Sequence, residues 1–216
     1  MVTLANGIYV FGSNPRCYDN HLTSEFLPNG SNVWEKGPNI PEPGFECGSA
    51  IAISDIEVVL TGGLDHGYGK GDGRTMMKYN TNTKKWTILK DLKVARRDHS
   101  AIFYNGKIIL TGGYWHNGMV DTENVLDSTE IYHLDKECSE MGGNLNIRRQ
   151  KLGLGIIKKN NSSKLIAFGG LSVPQSPNAY VRNILLSSIE EWNDEEKKWE
   201  VSQLKLKEPK YEFGFC

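Results

Sequence analysis

The chain has 216 residues, a formal net charge of −1 at pH 7 and four cysteines. Near-neutrality gives no argument for general binding to nucleic acid or to an anionic membrane surface. The sequence has no apolar run of about 18 residues, so it predicts no transmembrane helix, and its amino terminus shows no signal peptide. The cysteines lie far apart without Cys-x-x-Cys spacing, which favours reduced thiols in a cytoplasmic protein over a disulfide or zinc framework. They are Cys17, Cys47, Cys138 and Cys216.

Four strand-like runs end in a glycine pair or its remnant. The first glycines of these runs, Gly12, Gly62, Gly112 and Gly169, are separated by 50, 50 and 57 residues. A period of about 50 residues with four short strands per repeat is typical of a β-propeller blade. The sequence therefore predicts an all-β protein, with helix confined to loops such as 117–124.

The second half of each repeat carries two aromatic positions seven residues apart. Tyr79 precedes Trp86 at this spacing, and Trp192 precedes Trp199. A polar segment lies between the two positions, which predicts two strands joined by a short hairpin. The third repeat has Tyr132 followed by Ser139, and the first has Leu27 followed by Trp34.

Together these positions resemble the Kelch repeat family. A basic residue before the innermost strand of each repeat is matched by Arg97 and by Arg149. The first repeat departs most from the pattern, with Ser13 in place of the second glycine and Leu27 in place of the tyrosine. The residues that carry the resemblance are Gly62, Gly63, Tyr79, Trp86, Gly112, Gly113, Tyr132, Gly169, Gly170, Trp192 and Trp199.

The resemblance implies a single Kelch-type β-propeller domain over 1–216, with four-stranded antiparallel blades at about 1–46, 47–97, 98–149 and 150–209. Residues 210–216 would begin a fifth blade. Because similar propellers close with more blades, often six, we expect a partial propeller that self-associates or stays partly open when expressed alone. We also expect the second strand of each blade to end at the glycine pair, and Trp34, Trp86 and Trp199 to lie on outer strands.

In such a blade the outer aromatics fill the wedge between neighbours. Trp86 is therefore expected to be largely buried, with a cost of about 3–5 kcal/mol for Trp86→Ala. Trp115 falls in a loop and is expected to be more exposed.

One end of the blades is predicted to recognise a partner. If the strands are labelled a to d from the axis outward, the b–c loops and the d–a connections emerge on the same side. The b–c loops are long, at 64–74, 114–127 and 171–186, whereas a–b turns such as 104–107 are tight. Loops on a rigid scaffold are where recognition usually resides.

The predicted binding surface on this side is basic and aromatic. Its d–a connections are rich in lysine and arginine, which suits an acidic or phosphorylated peptide because arginine binds carboxylates and phosphates bidentately. The alternative is that Arg97 and Arg149 bind carbonyl groups inside the propeller and never meet a ligand. The candidate partner-binding residues are Tyr68, Arg74, Arg97, Tyr114, Trp115, His116, Arg149, Tyr180 and Arg182.

The sequence predicts no cofactor and no catalytic site. His66 and His116 occupy equivalent places after their glycine pairs, but no third ligand accompanies them, so we favour loop histidines over a metal site. No nucleophile elbow, zinc-protease motif or phosphate-binding loop is present. The glycine-rich run at 67–73 lies between strands and does not open a helix.

The resemblance implies a non-catalytic protein-interaction module. Many similar proteins present substrates to cullin-type ubiquitin ligases through BTB and BACK domains, which are absent from these 216 residues. Two alternatives stay open: an actin-binding protein and, less favoured, a propeller enzyme of the oxidase or epimerase type.

Overall fold

The structure is a computed structural model that describes residues 1–12, 22–42, 44–63, 73–115, 125–159, 162–173 and 183–212. The chain divides into two compact units, Met1–Arg97 and Asp98–Phe213. Each unit contains two four-stranded antiparallel sheets whose strands follow one another in chain order. Over the described residues all regular structure is strand, so the all-β prediction is confirmed there. Accordingly, no helix of the described part could span a membrane. The segment 117–124, expected to hold any helix, lies outside it.

Strands β1 to β8 form the two sheets of the first unit. Sheet 1 contains β1 (Val2–Leu4), β2 (Gly7–Phe11), β3 (Ser24–Pro28) and β4 (Glu35–Lys36). Sheet 2 contains β5 (Ser49–Ala52), β6 (Glu57–Thr61), β7 (Met76–Asn80) and β8 (Lys85–Ile88).

Strands β9 to β18 form the second unit. Sheet 3 contains β9 (Ser100–Tyr104), β10 (Lys107–Thr111), β11 (Thr129–His133) and β12 (Cys138–Met141). Sheet 4 contains β13 (Gly153–Lys159), β14 (Ser162–Phe168), β17 (Ser188–Asn193) and β18 (Lys198–Lys205). A two-stranded ribbon, β15 (Leu171–Ser172) and β16 (Ile184–Leu185), lies between β14 and β17 in the chain.

The second strand of sheets 2 and 3 is buried almost continuously. In β10, three consecutive residues, Ile108, Ile109 and Leu110, are buried, although neighbouring side chains on a strand point to opposite faces. A continuous apolar run of this kind is expected where both faces of a sheet are covered. The outermost strands β8 and β18 are mainly exposed.

The glycine pairs end the second strand in three sheets, as predicted. Strands β6, β10 and β14 stop immediately before their pairs, and both glycines of every pair have positive φ. The second glycine donates its N–H to the connection that leaves the sheet: Gly63 to the Arg96 carbonyl at 2.9 Å, and Gly113 to the Arg149 carbonyl at 2.8 Å. The glycine pair thus fastens each sheet to its outgoing chain segment.

We predict that Gly170→Ala destabilises the protein more than Gly106→Ala. Both glycines have positive φ, at 95° and 77°, which costs an L-residue about 1–2 kcal/mol. A methyl group at Gly170 would also lie 2.7 Å from the Gln150 carbonyl oxygen, whereas at Gly106 it would meet no atom within 4 Å. Urea unfolding of both variants measures the difference, and equal losses would contradict the close approach at Gly170.

The tryptophan of the fourth strand packs on the preceding sheet in both units. Trp86 of sheet 2 lies 6.0 Å from Phe11 of sheet 1, measured between ring centroids. In the second unit, the Trp199 indole N–H donates to the Thr129 hydroxyl of sheet 3 at 2.8 Å. These contacts fit the wedge-filling role expected of the outer aromatics.

Trp86 is mostly buried, as expected, although less completely than its counterpart Trp199, which is only 4% exposed. The expectation for Trp34 needs correction. Trp34 lies one residue before β4 and is exposed. The reason is local: β4 has only two residues, and Gly37 beyond it packs directly on Ser24 of β3.

Candidate functional site

The candidate site lies at the glycine-pair end of the sheets, which we define as the end where the glycine pairs, the b–c loops and the d–a connections meet. In sheet 4 this end receives the incoming connection 146–152, the loop that contains the ribbon, and the outgoing connection 206–212. The opposite end, which we call the hairpin end, carries tight turns such as Asn105–Gly106. The two ends of each sheet therefore differ in the amount of chain that they present.

The ribbon of sheet 4 is tied to the incoming connection by main-chain hydrogen bonds. Gln150 and Leu171 exchange both bonds, at 2.9 and 2.8 Å, and the Leu186 N–H donates to the Gly170 carbonyl at 3.0 Å. These bonds attach β15 to the incoming connection and attach the residue after β16 to the glycine pair. The two side chains of β16, Ile184 and Leu185, are exposed despite being apolar.

Three equivalent residues of the second unit form a main-chain ladder before the innermost strands. Asp98, Lys151 and Glu212 all have positive φ, at 51°, 53° and 56°. The Lys151 N–H donates to the Asp98 carbonyl at 2.7 Å, and the Glu212 N–H donates to the Lys151 carbonyl at 3.1 Å. An ion pair between the Lys151 and Glu212 side chains reinforces the second step. The ladder holds consecutive connections in a fixed relation at this end.

Arg149 lies beneath this surface rather than on it, with 0% of its side chain exposed. The guanidinium donates to the Gly169 carbonyl at 2.9 Å, to the Ser188 carbonyl at 3.2 Å and to the Glu190 carboxylate at 2.7 Å. Burial lowers the pKa of Arg149 from its ordinary value, and attraction to Glu190 opposes part of that shift. This geometry fits the structural alternative, in which Arg149 binds carbonyl groups and does not contact a ligand.

Glu190 is the ion-pair partner of Arg149, and the sequence pattern did not predict this contact. Its carboxylate is 1% exposed. It also accepts hydrogen bonds from the Asn146 N–H at 2.7 Å, the Asn146 side-chain amide at 2.9 Å and the Ile147 N–H at 3.2 Å. The sequence held one indication of this role: a glutamate occupies the same position in the third strand of sheets 3 and 4. Both Glu130 and Glu190 are buried. A buried carboxylate of this kind requires several donors.

The arginine of sheet 2 that corresponds to Arg149 is Arg96, not Arg97 as the sequence pattern suggested. Both Arg96 and Arg149 accept, through their carbonyl oxygens, the N–H of the second glycine of their sheet, and both are buried. Each also lies two residues before the positive-φ position of its connection. Arg97 is half-buried and corresponds to Gln150. The error arose because two arginines are adjacent in each connection, so a shift of one residue leaves the pattern intact.

The remaining candidate residues divide between described and undescribed parts of the chain. Tyr114 is half-buried and pairs with Val125 in an isolated bridge, and Trp115 next to it is 39% exposed. In the first unit, Arg74 is exposed at the start of the segment that follows the b–c loop. The structure therefore places Trp115 and Arg74 at the surface and Arg149 inside. Tyr68, His116, Tyr180 and Arg182, together with His66, lie outside the described residues.

The described part of this end suits recognition of a macromolecular surface. Exposed side chains at this end include the apolar Trp115, Ile184 and Leu185, the basic Lys207 and Lys210, and the acidic Glu208 and Glu212. Among the described residues, no group of three or more His, Cys, Asp or Glu side chains could hold a metal ion.

No family model matches the chain. It is similar to two curated proteins named Kelch-like protein 40, from Xenopus tropicalis and Xenopus laevis, each 24% identical over 199 residues. The alignment covers 90% of this chain and 30% of each relative, so the chain spans less than a third of the length of these relatives. This similarity supports a distant relationship to Kelch-like proteins, in agreement with the repeat pattern.

Proposed function

We propose that the protein is a non-catalytic protein-interaction module that binds its partner at the glycine-pair end of its sheets. The observation that carries this proposal is the exposure of Trp115, Ile184 and Leu185 beside connections fixed by the main-chain ladder. Exposed apolar side chains on a rigid base are typical of a recognition surface. The similarity to Kelch-like proteins supports a binding role over an enzymatic one.

We infer that the four sheets are Kelch-type propeller blades. Four features support the inference: the repeat of about 50 residues, the four-stranded antiparallel sheets, the glycine pairs at strand ends, and a tryptophan packed on the preceding sheet in each unit. The proposed blades occupy about 1–46, 47–97, 98–149 and 150–209.

A finer role, substrate recognition for a cullin-type ubiquitin ligase, is proposed from the family resemblance alone. Because the chain spans 30% of its curated relatives, the discriminating observation is the full-length reading frame. A BTB domain in that frame would support the adaptor role. For a ligand of the first unit we retain an acidic or phosphorylated peptide, with Arg74 and Arg97 of that unit as the candidate arginines.

Site-specific photocrosslinking tests the binding surface. A photoreactive phenylalanine analogue at Trp115 should capture a discrete protein in cells, whereas the same analogue at Asn105, at the hairpin end, should not. Trp115→Ala should change stability by no more than about 0.5 kcal/mol, as expected of an exposed side chain. Equal capture at the two positions, or capture at Asn105 alone, would contradict the assignment of the surface.

A further inference from the structure

We propose that the outer part of the glycine-pair end of sheet 4 binds an extended peptide that carries both apolar and acidic side chains. This inference rests on the proposed function and specifies the partner for one region of that surface. We call the region the ribbon patch and define it by Ile184, Leu185, Leu204, Lys205 and Lys207.

Main-chain contacts bring the two parts of the ribbon patch together. Ser188 of β17 is paired with Lys205 of β18, and the Leu206 N–H donates to the Ser187 carbonyl at 2.8 Å. These contacts join 187–188 to 205–206, so the end of β18 lies beside the chain segment that directly follows β16. The two parts of the patch therefore flank one hydrogen-bonded junction.

The apolar side chains of the patch are exposed to solvent. Ile184, Leu185 and Leu204 are 42%, 51% and 56% exposed. Neighbouring exposed apolar side chains of this kind mark an interaction surface more often than isolated ones do. They would accept aliphatic or aromatic side chains of a partner.

The lysines of this patch differ from five other lysines of the second unit, which are ion-paired; Lys107, Lys136 and Lys158 also lack an ion pair among the described residues, but they lie at the hairpin end. Lys151, Lys164 and Lys210 form ion pairs with Glu212, Glu191 and Glu208, and Lys197 and Lys198 are likewise paired with glutamates. In the part of the chain that the structure describes, Lys205 and Lys207 have no ion pair, and both are exposed. Their charge is therefore available to the carboxylates of a partner, which is the charge complementarity that selects an acidic segment.

The main chain of the ribbon favours an extended partner. Within the described residues, β16 pairs with β15 on one side and with no strand on the other. A peptide strand can add to such an edge through main-chain hydrogen bonds while its side chains reach the surface. Because β16 has only two residues, the apolar and charged contacts must provide most of the affinity and specificity.

A peptide array on the complete chain tests the ribbon patch. Nonapeptides of four classes are compared: acidic–apolar, acidic–polar, basic–apolar and phosphorylated acidic–polar. The acidic–apolar class should bind best, and its affinity, measured by fluorescence anisotropy, should fall as NaCl rises from about 0.05 to about 0.5 M because surface charges are screened. Leu185→Ser should weaken binding about tenfold through lost apolar contact. The double variant K205E/K207E should also weaken it about tenfold through charge reversal.

Matched variants at the hairpin end control for nonspecific effects. The double variant K107E/K158E makes the same change in net charge, and Ile157→Ser replaces another exposed aliphatic side chain; neither should alter binding. No preference for the acidic–apolar class, or equal losses in patch and control variants that remain folded, would overturn the inference. Capture at Trp115 that persists in such a case would leave the proposed function standing. Loss of Trp115 capture with intact patch binding would instead contradict the wider surface.

Discussion

Replacing Arg149 by methionine should destabilise the protein by about 3–5 kcal/mol, because removal of one member of a buried ion pair leaves the other charge without compensation. The carboxylate left behind belongs to Glu190, which is 1% exposed. Asn146 and Ile147 would still donate hydrogen bonds to it, but these donors carry no charge. The free energy of unfolding in urea, followed by tryptophan fluorescence, measures the loss.

A double variant measures how strongly Arg149 and Glu190 stabilise each other. In the first unit, the positions that correspond to Arg149 and Glu190 hold Phe45 and Met77, and both belong to one buried apolar cluster. The double variant Arg149→Phe/Glu190→Met places the same two apolar residues at these positions. Its loss in free energy of unfolding should be about 2 kcal/mol smaller than the sum of the two single losses, because residues in contact are coupled. Additive losses would show that the two side chains do not stabilise each other.

Trp199→Ala should cost about 3–5 kcal/mol, the range observed when a large buried aromatic is removed. The Trp199 ring lies 5.2 Å from that of Trp192, and its indole N–H bonds to Thr129. Trp86→Ala should cost less, about 1–3 kcal/mol, because Trp86 is less completely buried than Trp199 and its indole N–H has no hydrogen-bond partner among the described residues. This replaces the larger value expected for Trp86 from the sequence.

Chemical unfolding of the two variants side by side decides between these expectations. Trp199→Phe provides a control that keeps an aromatic ring but loses the hydrogen bond, so it should recover most of the lost stability. If Trp86→Ala proves the more damaging change, burial and the hydrogen bond to Thr129 do not determine how much each tryptophan stabilises the protein.

The strands and their ends could be predicted because their signals are local. A glycine pair after an apolar run and two aromatics seven residues apart each fit within one hairpin, so no distant contact has to be known. Even the first repeat, with Ser13 and Leu27 at variant positions, forms a four-stranded sheet. There, Val2, Leu4, Tyr9 and Phe11 supply buried side chains at alternate positions along two strands.

The site was harder to predict because its key contacts join residues far apart in the sequence. Arg149 and Glu190 are 41 residues apart, and each alone resembles an ordinary surface charge. The two strands of the ribbon have two residues each, too few to show any periodicity. The burial of a tryptophan depends on the preceding sheet: the Thr129 hydroxyl accepts a hydrogen bond from Trp199, whereas Trp86 makes an edge-to-face contact with Phe11.

Hydrogen–deuterium exchange of the chain with and without a bound partner tests the central claim most directly. The partner is the protein captured at Trp115 or the best peptide of the array. Binding should slow exchange at the glycine-pair end of the second unit, in 113–115, 148–151 and 183–187. Exchange should be unchanged in the hairpin-end turns 105–106, 134–137 and 194–197. Slowed exchange confined to those turns, with 183–187 unaffected, would contradict the recognition surface proposed for this protein.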